Sequence, residues 1–182
     1  MFCCAQSVTG SNGNSYETVT IGEQEWMAKN LNTSIFRNGD EIYQAESLED
    51  WEEADSKQKP AWCYGIYPDG RYGKFYNWFA VNDPRGLAPE GYHIATKADW
   101  EKLLETLGGK KTAGKKMKST DLWRDNRNGT NESGFNAFPT GFRGDYGDWR
   151  SESGWAAWWV GGEQSDETGL FGTFIYVSYN ND

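Results

Sequence analysis

The sequence predicts an α+β domain in which small twisted antiparallel sheets and long loops surround two main short helices. Three observations predict it. First, residues 91–109, GYHIATKADWEKLLETLGG, carry a capped amphipathic helix. Second, the chain holds 22 Gly and an aromatic content of 16%, with 10 Trp, 10 Tyr and 9 Phe. A core built from rings, with glycine-rich turns between short strands, follows from that composition. Third, period-two runs bounded by turn residues recur on both sides of the helix. At 182 residues the chain is the size of one domain and long enough to bury a core. It shows no internal repeat and no linker.

The elements follow in order. Residues 1–14 are polar and rich in Gly, Asn and Ser, and read as a flexible leader or the remnant of a secretion signal; residues 15–182 form the single domain. Adjacent Cys3 and Cys4 in MFCCAQ resemble the end of such a signal with a lipid-accepting cysteine, although the preceding apolar segment is missing. YETVTIGEQEWMAKNL (16–31) reads as a hairpin. Val19 and Ile21 alternate with polar residues, and Gly22-Glu23 suits a two-residue turn with Gly first. Asn38-Gly39 in FRNGDEI marks another turn. Residues 46–58 form a short acidic helix in which Ser47 and Asp50 pair as a capping box and Leu48 and Trp51 face inward. Pro68-Asp69-Gly70 is a turn. Phe75–Val81 is too short for periodicity to separate strand from helix.

In the main helix Thr96 is the N-cap and Asp99 its capping-box partner. Trp100, Leu103, Leu104 and Leu107 share one face, and Gly108 and Gly109 end the helix by taking left-handed backbone. That face is scaffold. A weaker helix is expected around Gly114–Lys118, then the loop DNRNGTNES, then short strands in FNAFPTGFRG, GWAAWWVGGEQ and GTFIYVSYN.

Charge excludes some functions. With 18 basic and 27 acidic residues the net charge is -9, which repels nucleic-acid phosphates. Lys110, Lys111, Lys115, Lys116 and Lys118 form the only cationic run and read as a solvated face. No stretch is long and apolar enough to be a transmembrane helix. The three cysteines, Cys3, Cys4 and Cys63, make no metal-ligand spacing, and His93 is the only histidine. His93, Asp99 and Ser119 have arbitrary spacing for a triad and no nucleophile elbow accompanies them; His93 reads as a strand residue beside Tyr92 and Ile94. Asn32, Asn128 and Asn131 begin N-x-S/T triplets, which arise readily by chance.

Two stretches carry candidate binding chemistry. DLWRDNRNGTNES (121–133) offers Asp121, Asp125, Asn126, Asn128, Asn131 and Glu132 as oxygen ligands for calcium, with Asp121, Asp125 and Asn128 the leading set. Its spacing is not that of an EF-hand, and an Asx-turn-rich surface loop is the alternative. GDYGDWRSESGWAAWWVGG (144–162) is dense in rings. In a strand Trp158 and Trp159 point to opposite faces, so one belongs to the core. Arg143, Tyr146, Trp149, Trp155 and Trp159 are the candidate ligand-binding residues, a stacking platform beside a hydrogen-bonding guanidinium. Core packing is the alternative for Trp149, Trp155 and Trp159, and loop support is the alternative for Arg143.

Five blocks in order and spacing resemble the Fibrobacter succinogenes major paralogous domain: residues 16–32, 60–83, 87–109, 113–119 and 130–144, within a likeness spanning roughly residues 12–180. The resemblance implies a C-type-lectin-like fold of the formylglycine-generating-enzyme variety, with GYHIATKADWE as its strand-to-helix block. It implies a secreted or surface-attached module, associated with the outer membrane; with the aromatic and polar surface, which suits sugar or protein recognition, the expectation is a non-catalytic module that binds glycan or protein and has no cofactor other than the calcium considered above. Two further functions follow from the same likeness. One is a variable ligand-binding protein diversified by a retroelement, for which the Asn-, Tyr-, Ser- and Gly-rich C-terminal segment is suited. The other is an enzyme of the formylglycine-generating type, against which stands the lack of any cysteine after Cys63. Family members continue into a further strand beyond FIYVSYNND, so the resemblance implies a truncated or diverged tail in which Cys63 lacks a late partner.

Overall fold

The structure, a computed structural model, describes residues 6–65, 72–144, 147–162, 165–166, 169–170 and 172–180. Cys3, Cys4, the turn Pro68-Asp69-Gly70 and Tyr146 lie outside the described residues. The elements run β1 (Gln6–Thr9), β2 (Ser15–Ile21), β3 (Gln24–Met27), β4 (Tyr43–Gln44), α1 (Leu48–Ser56), β5 (Ala61–Cys63), β6 (Phe75–Tyr76), α2 (Trp78–Val81), α3 (Lys97–Thr106) and α4 (Lys110–Met117). A 3-10 turn (Arg124–Asn126) follows, then β7 (Phe142–Arg143), β8 (Trp149–Arg150), β9 (Trp155–Val160), β10 (Ser165–Asp166), β11 (Gly169–Leu170) and β12 (Thr173–Ser178). The class is α+β.

The first sheet has the order β1-β2-β3. Ile21 faces Gln24 across the two-residue turn Gly22-Glu23, and Gly22 sits at φ +63, the left-handed backbone that a turn of this hand demands at its first position. Residues 6–9, expected within a flexible leader, instead pair antiparallel with β2, Val8 opposite Tyr16. Backbone hydrogen bonding recruits them, which a polar sequence does not advertise. The β4-β5-β6 sheet mixes a parallel and an antiparallel pair. Asn77 resolves the 75–81 segment: its side chain accepts from Ala80 N–H and starts α2 directly after β6.

Both long helices begin as their caps predict. Ser47 with Asp50 caps α1 and Thr96 with Asp99 caps α3, each as a complete capping box. In α1 the buried residues are Trp51 and Ala54. Leu48, expected inside, is 44% exposed, because it occupies the first helical position, outside the buried stripe. The second helix starts earlier than expected, at Lys110, with Gly109 as N-cap. Lys118, grouped with the exposed lysines from sequence, is 1% exposed, and its ammonium lies 5.4 Å from the Trp123 ring centre. The residue following α4 turns inward, where its aliphatic stem packs and its ammonium meets the Trp123 ring.

Among the described residues three hydrophobic clusters share the interior. The largest joins Trp100, Leu103 and Leu107 of α3 to Ala113 and Met117 of α4 and to Trp123, Phe135, Val160 and Val177. A second surrounds Phe36, Ile42, Trp62, Trp78 and Leu87. A third gathers Ala45, Trp51 and Cys63, with Trp149 and Phe75 packed on it. Strand β9 joins the first two. Its alternation sends Trp158 to the first cluster and Trp159 to the second, so at this end of the strand both faces are packed.

The α3 cap makes stability pH-dependent. Burial alone would raise the Asp99 carboxyl, but hydrogen bonds from the Thr96 hydroxyl, from His93 and from the Thr96 N–H outweigh it and hold the group below the usual aspartate range. A carboxyl with a lowered folded-state pKa contributes stability that is present above the unfolded value of about 3.9 and is lost as pH falls through the folded value. Thermal melts of wild type and Asp99→Asn should therefore differ most at neutral pH and converge in acid; a gap that persists unchanged below the lowered carboxyl range excludes the ionised cap.

Candidate functional site

The residues singled out from sequence are divided among three places. Arg143 and Trp149 come together: the guanidinium lies 5.3 Å from the Trp149 ring centre and 4.8 Å from that of Trp51. Its Nε donates to Gly147 O at 3.2 Å and its terminal nitrogen to Ser47 O at 3.3 Å. Trp149 in turn packs edge-on against Phe75 at 5.1 Å. Arg143 thus ties Gly147 to the residue that caps α1, the loop-supporting alternative for this side chain. Beside it, Cys63 is 2% exposed; burial pushes its thiol up, and the Arg143 contact offsets that only in part. Such a thiol is a poor nucleophile at neutral pH.

Trp159 sits elsewhere. Its ring packs 5.6 Å from Trp78 and its indole N–H donates to Tyr76 O at 2.7 Å, which anchors β9 to β6. The candidate calcium loop is also occupied with its own fold. Asn128 Oδ1 accepts from Trp123 N–H at 3.1 Å, and Asn131 Oδ1 from Asn136 N–H at 2.9 Å. Asp121 and Asp125 are exposed. Among the described residues no three His, Cys, Asp or Glu side chains are grouped to hold a metal ion. Of the triad residues, Ser119 Oγ donates to Asp121 O at 2.8 Å and accepts from the Trp123 indole at 3.1 Å. His93 is not in a strand; it is exposed on the segment before α3, with Nε2 2.9 Å from Asp99 Oδ2.

Trp155 is the centre of a different group. Strands β9 and β12 pair antiparallel, with Trp155 opposite Ser178 and Tyr176 opposite Ala157. Each large ring therefore faces a small residue, which leaves room for the two rings to meet on the diagonal. They stack at 4.2 Å with an interplanar angle of 8°. Phe142 from β7 lies 5.7 Å from Trp155, and Phe174 stacks on Phe142 at 6.0 Å. Phe174 and Tyr176 are 44% and 45% exposed. The other side of β12, Ile175 and Val177, packs on the first cluster. The result is a solvent-facing surface of four rings, Phe142, Trp155, Phe174 and Tyr176. The same alternation in β7 that turns Phe142 toward Trp155 turns Arg143 toward Trp149. Sequence reasoning found Trp155 and missed the other three. Its available signal was period two in TFIYVS, which places Phe174 and Tyr176 opposite Ile175 and Val177.

Residues 19–180 match the Fibrobacter succinogenes major domain. The chain belongs to that family. The match takes in every element from β3 to β12, and so both the ring-bearing face and the scaffold beneath it. Comparison with curated proteins and with solved structures finds no match. No helix among the described residues is long and apolar enough to cross a membrane.

Proposed function

We propose that this member of the Fibrobacter succinogenes major domain family is a non-catalytic, secreted or surface-attached recognition module of C-type-lectin-like fold that binds glycan on the Phe142–Trp155–Phe174–Tyr176 surface. The observation that carries the reading is the parallel Trp155–Tyr176 stack, held at 4.2 Å on a face whose outer rings are nearly half exposed. Two rings at that exposure offer roughly 100 Å² each. Those two rings together offer an apolar patch of about 200 Å², well short of a stable protein interface of about 800 Å² per partner. Flat rings match the apolar C–H face of a pyranose, and holding them against one another on the paired strands β9 and β12 lowers the entropy cost of ordering them. The net charge of -9 disfavours polyanionic partners.

The test is a glycan array on the full chain, with and without calcium, followed by titration of the best ligand against Trp155→Ala and Tyr176→Ala. Both variants are expected to bind at least about tenfold more weakly, a loss of about 1.4 kcal/mol or more, while keeping the wild-type circular dichroism spectrum. Folded variants that bind as wild type place the glycan elsewhere, and an array with no ligand rejects the glycan reading in favour of a protein partner.

A further inference from the structure

A second feature is independent of the exposed rings. A cleft of about 520 Å³ opens between β3 with the segment after it, the 87–95 stretch leading into α3, and the inner face of β9. Its inner wall is an aromatic cluster: Trp26 lies 4.9 Å from Trp100 and 5.7 Å from Phe135, and Trp158 lies 5.7 Å from Trp100 and 5.3 Å from Phe135. The volume is that of a small-molecule site.

Hydrogen bonding sets two rings of this wall apart. The indole N–H groups of Trp62, Trp123 and Trp159 have acceptors in Ile42 O, Ser119 Oγ and Tyr76 O, and within the wall itself that of Trp158 has Asn30 Oδ1. Trp26 and Trp100 do not, and both Nε1 atoms are buried. Trp100 is only 2% exposed. Gln24 donates its amide to Asp99 O at 3.1 Å, which fixes the carboxamide and leaves its buried Oε1 without a donor. Four buried side-chain polar atoms among the described residues lack a partner, and Gln24, Trp26 and Trp100, which line this cleft, supply three of them. An unmet buried donor or acceptor costs about 1–3 kcal/mol, so their concentration at one concave surface calls for a ligand able to satisfy both kinds.

We infer that this cleft is a binding site for a short neutral saccharide, whose hydroxyls accept from the Trp26 and Trp100 indoles and donate to Gln24 Oε1 while its ring face lies on the aromatic wall. A hydroxyl is the group that supplies acceptor and donor at once. Neutrality follows from the rim. Its carboxylates, Glu25 and Asp99, are matched in number by Lys29 and Lys74, and they are already engaged, Glu25 by Thr18 at 2.5 Å and Asp99 by Thr96 and His93. Of the two lysines, Lys29 is paired with Glu17 at 3.5 Å and Lys74 lies over the Trp62 ring at 4.0 Å, so a charged ligand would have to break an existing contact to gain a counter-charge in an apolar cleft.

The experiment is a titration of intrinsic tryptophan fluorescence in the full chain with methyl glucoside, methyl galactoside, methyl mannoside, cellobiose and lactose. At least one is expected to give a saturable change. Gln24→Leu, which removes the free Oε1 together with the amide bond to Asp99 O at similar side-chain volume, and Trp26→Phe, which removes the indole N–H but keeps an aromatic ring, should each weaken it by about tenfold or more. Trp155→Ala should leave it unchanged. Circular dichroism establishes that each variant is folded; if Trp26→Phe is not, Gln24→Leu decides. No saturable change with any of the five sugars, or wild-type affinity in folded Gln24→Leu, overturns the inference. A change abolished by Trp155→Ala and kept by Gln24→Leu assigns the binding to the exposed face instead. Conversely, sugar binding that survives Trp155→Ala and Tyr176→Ala but not Gln24→Leu upholds the cleft and rejects the exposed face.

Discussion

Leu103→Ala is expected to cost about 2–5 kcal/mol, the range for truncating a buried leucine whose surroundings relax only in part. Leu103 is fully buried, at 0% exposure, in the cluster that joins α3 to α4 and to β9 and β12. Its neighbours Trp100 and Met117 are held by their own helices and cannot collapse onto an alanine. Leu104 shares the face in sequence but is only partly buried, at the edge of the same cluster. Leu104→Ala should cost clearly less, about 1 kcal/mol. Denaturant melts of the two variants check the ordering. Equal losses would mean that α3 presents its face to the sheet with a different rotation, and a Leu103→Ala melt that overlays wild type would exclude the buried helix altogether.

Phe36→Ala is expected to cost more, about 3–5 kcal/mol, although no periodic element contains it. Phe36 is 0% exposed. Its backbone is clamped, N–H to Asp40 O at 2.8 Å and O from Gly39 N–H at 3.0 Å, and the Arg85 guanidinium covers its ring at 4.0 Å. Arg85 is itself held by Asp83 and Asp40, at 2.8 and 3.1 Å. Removing the ring opens a cavity beneath an ion-paired lid, in a loop that has little secondary structure to fall back on. For a chain of this size the melting temperature should drop on the order of 10 °C. Phe36→Leu, which keeps most of the volume, should recover a large part of it; equal effects from the two substitutions would argue that ring contacts with Arg85, and not volume, dominate.

Local signals were legible where a single segment contains both halves of an interaction. Ser47 and Asp50, or Thr96 and Asp99, are three residues apart and close their caps within one turn. Gly22-Glu23 turns the β2-β3 hairpin and Asn38-Gly39 its smaller counterpart, Gly39 at φ +93. Polar loops were read less well. The Asn-rich 126–133 stretch has the composition of a calcium loop, yet its residues serve the C-terminal end of α4: Thr130 and Ser133 N–H groups donate to Lys115 O and Lys116 O at 2.8 and 3.2 Å. Asparagine oxygens suit a cation and a backbone N–H equally, so composition does not separate the two.

What the sequence determined by itself was the α+β class, the capped helices with their apolar stripes, the central hairpin turn, the opposed directions of Trp158 and Trp159, and the family. All of these depend on neighbours within about seven residues or on blocks read in order. Tertiary structure alone decided which rings meet. Trp155 is 21 residues from Tyr176 in β12, and Trp26 is 74 residues from Trp100. Arg143 reaches back 96 residues to Ser47. In a chain with so many aromatics, every ring is a credible core residue and a credible platform. The choice is made by strand register and by the small residues opposite, Ser178 facing Trp155 and Ala157 facing Tyr176, and register is a property of two segments brought together, which neither segment carries alone.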